Sequence, residues 1–402
     1  MDFTALALQS LSWLSLICSI LAAAGCLYGL AAAYCAGRYA RRAVPVLASG
    51  TPLPSVTVLK PLCGLEPNLY ENLETVLRQD YAGPIQVVFG VQKAADPAIG
   101  VVERLKQAYP AARIDLVIDG RQHGSNRKVS NLINMAEVIA HDVVVLADSD
   151  MVVRPDYLER LVAELSQEGV SGVTCLYHGV PAFRGLYDQL STLAIDVQFL
   201  PNVVMGLSLG LAKPCFGSTV AFTRASLEAV GGFRRFRDDL ADDYAIGAAL
   251  RGLGGRVVIP SFTIGHTSVD TDLSGLWKHE LRWNRTIRTV DPVGYAGSII
   301  THALPLALLA ALLPGAGGAA LWIAGFALAS RILLCRQLER AFGLAPHPYG
   351  LLPIRDILSF LNFSWAFVSG AVTWKGHDYH VVADGTLIPD AELGPDAGAP
   401  LR

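Results

Sequence analysis

Two long stretches without a charged side chain frame this sequence and limit what it can fold into. From Phe3 to Gly37 there is no Asp, Glu, Lys or Arg, and the same holds from Val293 to Ser330. A hydrocarbon layer about 30 Å thick takes about 20 helical residues, so Leu11–Tyr34 is long enough to cross it. A cleaved signal peptide fits poorly: Met1-Asp2 is not basic, and the apolar stretch is too long. Arg38, Arg41 and Arg42 follow at once. Basic flanks mark the cytoplasmic side of a span, which puts the N-terminus outside and the next segment in the cytoplasm. In the second stretch, Pro314-Gly315 and Gly317-Gly318 suggest a break into helices at about 298–313 and 317–334. Arg331, Arg336 and Arg340 return the chain to the positive side, and Ile357–Trp374 is a further candidate span.

Composition agrees with a chain that is partly in a membrane. Hydrophobic residues are 52% of 402 and charged residues 17%, against about 25% in a soluble protein. The net charge of -3 gives no basic field, so no nucleic-acid partner is expected. Seven scattered cysteines form no CxxC pair, which indicates neither a disulfide framework nor a structural zinc site. Cys63, Cys175 and Cys215 are expected in the core. Arg outnumbers Lys by 25 to 7, a bias of GC-rich bacterial genomes.

Residues 55–290 are different in kind. Apolar runs at Val56–Leu59, Gln86–Val91, Ile114–Val117, Val143–Ala147, Val170–Leu176, Thr219–Thr223 and Arg256–Ile259 alternate with helical patterns such as Pro97–Tyr109 and Arg127–Ala140. The alternation predicts an α/β domain with a mainly parallel sheet, its ligands at the C-terminal strand ends. No GxGxxG and no GxxxxGK[ST] occurs, so neither a dinucleotide site nor a P-loop is supported.

Several residues in this unit are candidates for chemistry. Val143 to Ala147 runs into Asp148-Ser149-Asp150. Two carboxylates past a buried strand suit a hard divalent cation, and Asp and Ser also suit a plain turn. Gly124-Ser125-Asn126-Arg127-Lys128 opens a helix, where free N–H groups favour an anion. Lys128 in that first turn is either a partner of the anion or a solvated lysine. Asp96-Pro97 fits a helix start, and also a contact to a base. Asp238-Asp239-Leu240-Ala241-Asp242-Asp243 gathers four carboxylates that need water or a cation. One of them can serve as general base, with Asp238 and Asp239 read as solvated. Leu273–Arg288 mixes Leu276, Trp277, Leu281 and Trp283 with Lys278, Arg282, Arg285 and Arg288. That pattern suits an amphipathic helix on the membrane surface, and Arg282 can also fork onto a phosphate. His178 and His266 have no partner at metal spacing and stay unassigned.

In order, Asp96, Lys128, Asp148-Ser149-Asp150, Asp242-Asp243-Tyr244 and His279-Glu280-Leu281-Arg282-Trp283 resemble the D, D, D, (Q/R)xxRW pattern of family-2/21-type membrane glycosyltransferases. These have the GT-A fold and include ceramide glucosyltransferase. The strings Val58–Gly64, Arg127–Met135 and His279–Arg288 look closer to the bacterial hopanoid-biosynthesis-associated glycosyltransferases. The resemblance covers residues 55–290. It implies a UDP-sugar donor, Mg2+ or Mn2+ as cofactor, and inverting transfer of N-acetylglucosamine or glucose to a membrane lipid hydroxyl. The acceptor is then a hopanoid polyol such as bacteriohopanetetrol, or ceramide. Carried over by position, Asp96 contacts uracil, and Lys128 supports the nucleotide and diphosphate. Asp148 lies near ribose and metal, and Asp150 binds the metal. Asp243 is the catalytic base, while Arg282 and Trp283 close over diphosphate and acceptor. His279 departs from the usual Gln or Arg, so its contact to diphosphate or acceptor is open. A UDP-sugar-binding membrane module without turnover is the competing class.

The resulting expectation is a multi-pass protein of the bacterial inner membrane with its catalytic domain facing the cytoplasm. Residues 1–37 are an N-terminal span and 38–54 a linker. Residues 55–290 are a GT-A domain ending in an interfacial helix. Residues 291–375 are a C-terminal region of about three helices, and 376–402 a flexible tail. Leu190–Leu211 is expected to face the acceptor.

Overall fold

The computed structural model describes residues 3–47, 50, 52–315, 318–368, 371–374, 377–381 and 387–389. Four strands carry the first half of the α/β unit: β1 (Val56–Pro61), β2 (Ile85–Val91), β3 (Arg113–Ile118) and β4 (Val143–Leu146). They run parallel in the order β3-β2-β1-β4. All four residues of β4 are buried, as are five of the six in β1. Burial on both faces explains why these strands read as unbroken apolar runs. After β5 (Met151–Val152) and β6 (Val170–Thr174) come β7 (Leu176–Pro181), β8 (Val220–Thr223), β9 (Arg256–Val258) and β10 (Thr263–Ser268). β8, β6 and β9 complete the seven-stranded sheet beyond β4, with β8 antiparallel to both its neighbours.

The expected single run Val170–Leu176 is two strands, because the chain changes sheets at Cys175. β6 stays in the main sheet, and β7 joins a second sheet in the order β5-β10-β7. β5 makes the same change directly after Asp150 and pairs antiparallel with β10, Met151 opposite His266. The segment Asp148-Ser149-Asp150 therefore spans the step from one sheet to the other.

The N-terminal helix α1 (Phe3–Ala40) has 38 residues, about 57 Å at 1.5 Å per residue and longer than a bilayer core. Its C-terminal end is fixed to the α/β unit, where Tyr39 donates to the Ile259 carbonyl at 2.8 Å. Small residues let its middle pack closely. Cys18, Ala22 and Cys26 meet Ala303, Ala307, Ala310, Ala320, Ala324 and Ala327 in one cluster. Trp13, Leu27, Leu312 and Trp322 point outward and exposed, as lipid-facing residues do.

Between these parts lie α2 (Arg127–Met135), the 23-residue helix α3 (Leu186–Ser208), α4 (Asp242–Gly252) and α5 (Leu273–Val290). The helices α6 (Ala303–Leu312), α7 (Ala319–Phe342) and α8 (Leu352–Trp365) follow. Among the described residues three helices, α1, α3 and α7, are each long and apolar enough to cross a membrane, and Pro292–Thr301 with α6 is a further pair bent by 66°. Two expectations are corrected here. The span expected at Ile357–Trp374 is instead the 14-residue helix α8 followed by strand β11 (Ala371–Trp374). The tail expected to be flexible contributes β12 (His377–Val381) and β13 (Leu387–Pro389), which form a small antiparallel sheet with β11. Its other residues lie outside the described ones. Cys175 and Cys215 are buried as expected, whereas Cys63 is exposed on the loop after β1.

Candidate active site

Parallel strands deliver their C-terminal ends to one edge, and the polar residues collect there. Lys60 is next to last in β1, Asp96 follows β2, and Asp148 and Asp150 follow β4. Lys60 is fully buried and donates from Nζ to the Asp148 carbonyl at 2.8 Å. Burial lowers its pKa to about 8, with Asp150 and Asp148 opposing the shift.

Lys128 is not solvated. Its Nζ lies 2.7 Å from Asp148 Oδ1 and 3.5 Å from Asp242 Oδ2. Burial disfavours the ammonium, but Asp148, Asp242 and Asp243 outweigh it and hold the pKa well above its ordinary value. The position follows from the helix start. Asn126 caps α2 by accepting from the Val129 N–H at 3.0 Å, a contact typically stabilising by about 1 kcal/mol. Its amide donates to the Asp239 carbonyl at 2.8 Å and to Asp242 Oδ1 at 3.3 Å. The acidic run is thereby stitched to the lysine-bearing turn. Asp238, expected to be solvated, also has work to do: it accepts from the Ser125 N–H at 2.9 Å.

Asp243 accepts from the Gly217 N–H at 2.7 Å and from the Tyr244 N–H at 2.8 Å. Burial and the neighbouring Asp242 raise its pKa to about 6, with Lys128 opposing. Gly217 also accepts from the Asp148 N–H at 3.2 Å. A Cβ at Gly217 would come 2.7 Å from Asp148 Oδ2 and 3.0 Å from Lys128 Nζ. Any side chain at this position would displace Asp148 or Lys128, and both carboxylates lie against the glycine.

Asp150 has a partner that the sequence did not reveal. His266 on β10 brings Nε2 to 3.3 Å from Asp150 Oδ2. Burial opposes the charge on Asp150, but His266 and then Lys60 prevail and hold it below the usual carboxylate range. Burial likewise opposes the charge on His266, and Asp150 raises its pKa regardless. The Asp150 Oδ1 atom is buried without a hydrogen-bond partner among the described residues. Ser149 reaches away, donating to Glu66 at 2.6 Å.

The helix α5 lies over this edge rather than flat on a surface: Leu276, Glu280, Leu281 and Arg285 are buried. Trp283 meets His266 edge-on at 5.9 Å and His279 at 4.3 Å. His279 faces Asp270, Nδ1 to Oδ2 at 3.4 Å. Arg282 has its pKa lowered by burial, opposed by the fields of Asp148, Asp150 and Asp243. Those carboxylates are thus its electrostatic neighbours. Tyr177 on β7 stacks on Phe199 of α3 at 4.5 Å and approaches His266 at 5.7 Å. Asp96 stands further along the edge. Its oxygens accept from the Gly64 N–H, each at 3.1 Å, and Oδ1 accepts from the Ala98 N–H at 2.9 Å. It ties the loops after β1 and β2 together.

The site gathers Asp148, Asp150, Asp242, Asp243, Lys60, Lys128, Arg282 and His266 at one end of the sheet. Such a set can hold a cation and a polyanion together and still offer a carboxylate as a base. The profile of glycosyl transferase family 21 matches residues 17–387. The chain belongs to that family. Ceramide glucosyltransferase 1 of Caenorhabditis elegans is 25% identical over 232 residues, 58% of this chain and 49% of the relative. Ceramide glucosyltransferase of Gibberella zeae is 27% identical over 172 residues, 39% of this chain and 33% of the relative. The chain spans about half the length, or less, of these relatives. A solved mannosyltransferase from Pyrobaculum calidifontis, in complex with GDP-Man and Mn2+, superposes with a TM-score of 0.51 at 23% identity. The superposition covers 88% of this chain and 99% of that one, and it shows the GT-A fold expected from the sequence.

Proposed function

We propose that this family-21 member is an inverting glycosyltransferase moving N-acetylglucosamine or glucose from a UDP-sugar to a hydroxyl of a membrane lipid. Its catalytic unit is residues 55–290, on the cytoplasmic face of a bacterial inner membrane. The observation that carries the proposal is the placing of Asp243 and Asp148 against the same glycine. Asp243 is bonded to the Gly217 N–H at 2.7 Å, and Asp148 Oδ2 fills the space a Cβ there would take.

The residues fit a divalent cation. Asp148 and Asp150 offer hard oxygen donors, and the partnerless Asp150 Oδ1 is a ligand atom in need of a partner. The Mn2+ of the Pyrobaculum complex supports a cation on this fold. A bound Mg2+ or Mn2+ supplies charge neutralisation of the diphosphate. The protein residues do the rest. The acceptor hydroxyl is a poor nucleophile, so the Asp243 carboxylate takes its proton as the oxygen attacks C1. The bond from C1 to the phosphate oxygen breaks, and its electron pair leaves with UDP. Lys128 and Arg282 stabilise that growing charge. One displacement inverts C1, and an α-linked donor gives a β-glycoside. Asp96 contacts uracil, Trp283 covers the acceptor, and α3 guides the lipid towards Asp243.

The strings around Lys60, Lys128 and Arg282 favour a hopanoid polyol as acceptor. The names of the curated relatives favour ceramide as a second reading. Membranes holding the protein are incubated with each UDP-sugar and a lipid panel, and the product is identified by mass. Release of UDP without any lipid-linked sugar, or binding without turnover, would overturn the proposal.

A further inference from the structure

Away from the carboxylate edge, a second group of ligand-type side chains sits at the C-terminal end of α7. Cys335 and Glu339 are four residues apart on that helix and share a face. The chain turns back at Gly343, in the left-handed region at φ 67°, and brings His347 over the same face. Glu339 Oε1 lies 3.8 Å from Cys335 Sγ and 3.0 Å from His347 Nδ1. All three ligand atoms are within 4.8 Å of one another. A tetrahedral site with zinc–ligand bonds of about 2.0–2.3 Å has corners roughly 3.3–3.6 Å apart, so the separations of 3.0 and 3.8 Å lie a few tenths of an ångström to either side of it.

The outer contacts point the same way. A histidine that binds a metal through one ring nitrogen characteristically gives the other N–H to a carboxylate. His347 Nε2 is 2.7 Å from Asp196 Oδ2, and Asp196 is itself fixed by accepting from the Gly179 N–H at 2.7 Å. Glu339 Oε2 accepts from the Tyr349 hydroxyl at 2.7 Å, and Oε1, which faces Cys335 Sγ and His347 Nδ1, also accepts from the His347 backbone N–H at 2.8 Å, a bond that fixes its direction. Cys335, His347 and Asp196 are all buried.

We propose that Cys335 Sγ, Glu339 Oε1 and His347 Nδ1 bind a zinc ion, at a site separate from the sugar-nucleotide edge. A thiolate and an imidazole select Zn2+, whereas the all-oxygen donors Asp148 and Asp150 suit Mg2+ or Mn2+. Binding displaces the Cys335 thiol proton and any proton on Nδ1, both released to solvent. No CxxC pair announces the site, because one helix supplies two ligands and the following loop the third. Through Asp196 the ion fastens α7 to the π-helical turn Ile195–Phe199 in the middle of α3.

Co2+ is the probe, added to the full-length protein in detergent after chelation. One equivalent, apart from any held at Asp148 and Asp150, shows thiolate-to-cobalt charge-transfer absorption and is displaced by Zn2+. Asp150→Ala keeps that absorption, and Cys335→Ser loses it. Asp196→Asn weakens Zn2+ binding by about 10–100-fold. A second readout needs no variant: Zn2+ slows alkylation of Cys335 in the native protein, followed by peptide mass, and leaves the exposed Cys63 unaffected. No thiolate band in the native protein, or equal labelling of Cys335 with and without Zn2+, overturns the site. The cluster is then a hydrogen-bonded brace with a proton between His347 and Glu339.

Discussion

Arg355 on α8 holds both carboxylate oxygens of Glu280 on α5, at 2.6 and 2.7 Å, with both side chains buried. The same guanidinium donates to the Leu190 carbonyl of α3 at 3.2 Å. One side chain thus ties the helix carrying Arg282 and Trp283 to the helix expected to face the acceptor. Among the described residues the polar partners of this pair lie away from the carboxylate edge, so the pair acts by positioning.

Removing one partner strands a buried charge, at a cost of about 3–5 kcal/mol. Arg355→Ala should therefore lower the unfolding temperature sharply. The double variant Arg355→Met with Glu280→Leu should recover most of that loss, since apolar replacement of a buried pair is close to neutral. Donor KM should stay raised in the double variant if the pair orients Arg282. Thermal unfolding and KM, measured on both variants, separate the two effects. A double variant with native KM confines the pair to stability.

Asp150→Ala should abolish metal-dependent turnover and weaken UDP binding. It removes the partnerless Oδ1 and leaves His266 without its carboxylate. Turnover titrated against Mn2+ and Mg2+ checks it. Near-native activity with unchanged metal dependence would remove Asp150 from the metal site.

The pH profile follows from Asp243. Its pKa is raised to about 6, so at pH 5 it is mostly protonated where an ordinary aspartate is ionised. A general base works only ionised. The kcat/KM for the free enzyme should fall as pH drops through about 6, tenfold per unit below it. An acid limb near 4 instead would assign the limiting group elsewhere.

The parts of the fold legible in the sequence are those whose burial is continuous. β4 is buried on both faces, so Val143-Val144-Val145-Leu146 announces itself. β10 is just as buried, yet it reads Thr263-Ile264-Gly265-His266-Thr267-Ser268 and carries no apolar run. The second sheet was invisible for that reason, and His266 with it. Asp150 and His266 are 116 residues apart, and only the pairing of β5 with β10 joins them. Lys128 was ambiguous because its burial comes from Asp148 and Asp242, which the local sequence does not contain. Asp148, Asp150 and Asp243 stand out in the sequence because each sits at a strand end or helix start, whereas Arg282, in the middle of α5, is singled out only by the resemblance of its motif. Lys60 and Gly217 had no such signal: each matters only through the residue it presses against.

The contrast between Asp243→Asn and Asp238→Asn tests the base directly. Both remove one negative charge from one acidic run. Asp238 accepts from the Ser125 N–H through Oδ1, a bond an asparagine oxygen can keep, and its Oδ2 accepts from the exposed Arg237 Nε at 3.1 Å, a surface ion pair of little worth. Asp243 uses both oxygens, one for Gly217 and one for Tyr244, so asparagine keeps one bond and turns an NH2 towards the other donor. A modest loss of stability is expected from that alone, about 1–3 kcal/mol. UDP affinity should stay close to native, because Asp148 and Asp150 are untouched. The chemical step should fall by at least about 10²-fold, the usual contribution of a general base. Asp238→Asn should cost far less in the same assay. Single-turnover rates and UDP affinity with saturating lipid decide between a base and a field effect. Equal losses in the two variants, or a loss confined to UDP affinity, would take the catalytic role from Asp243 and leave it as the group that fixes Gly217 against Asp148.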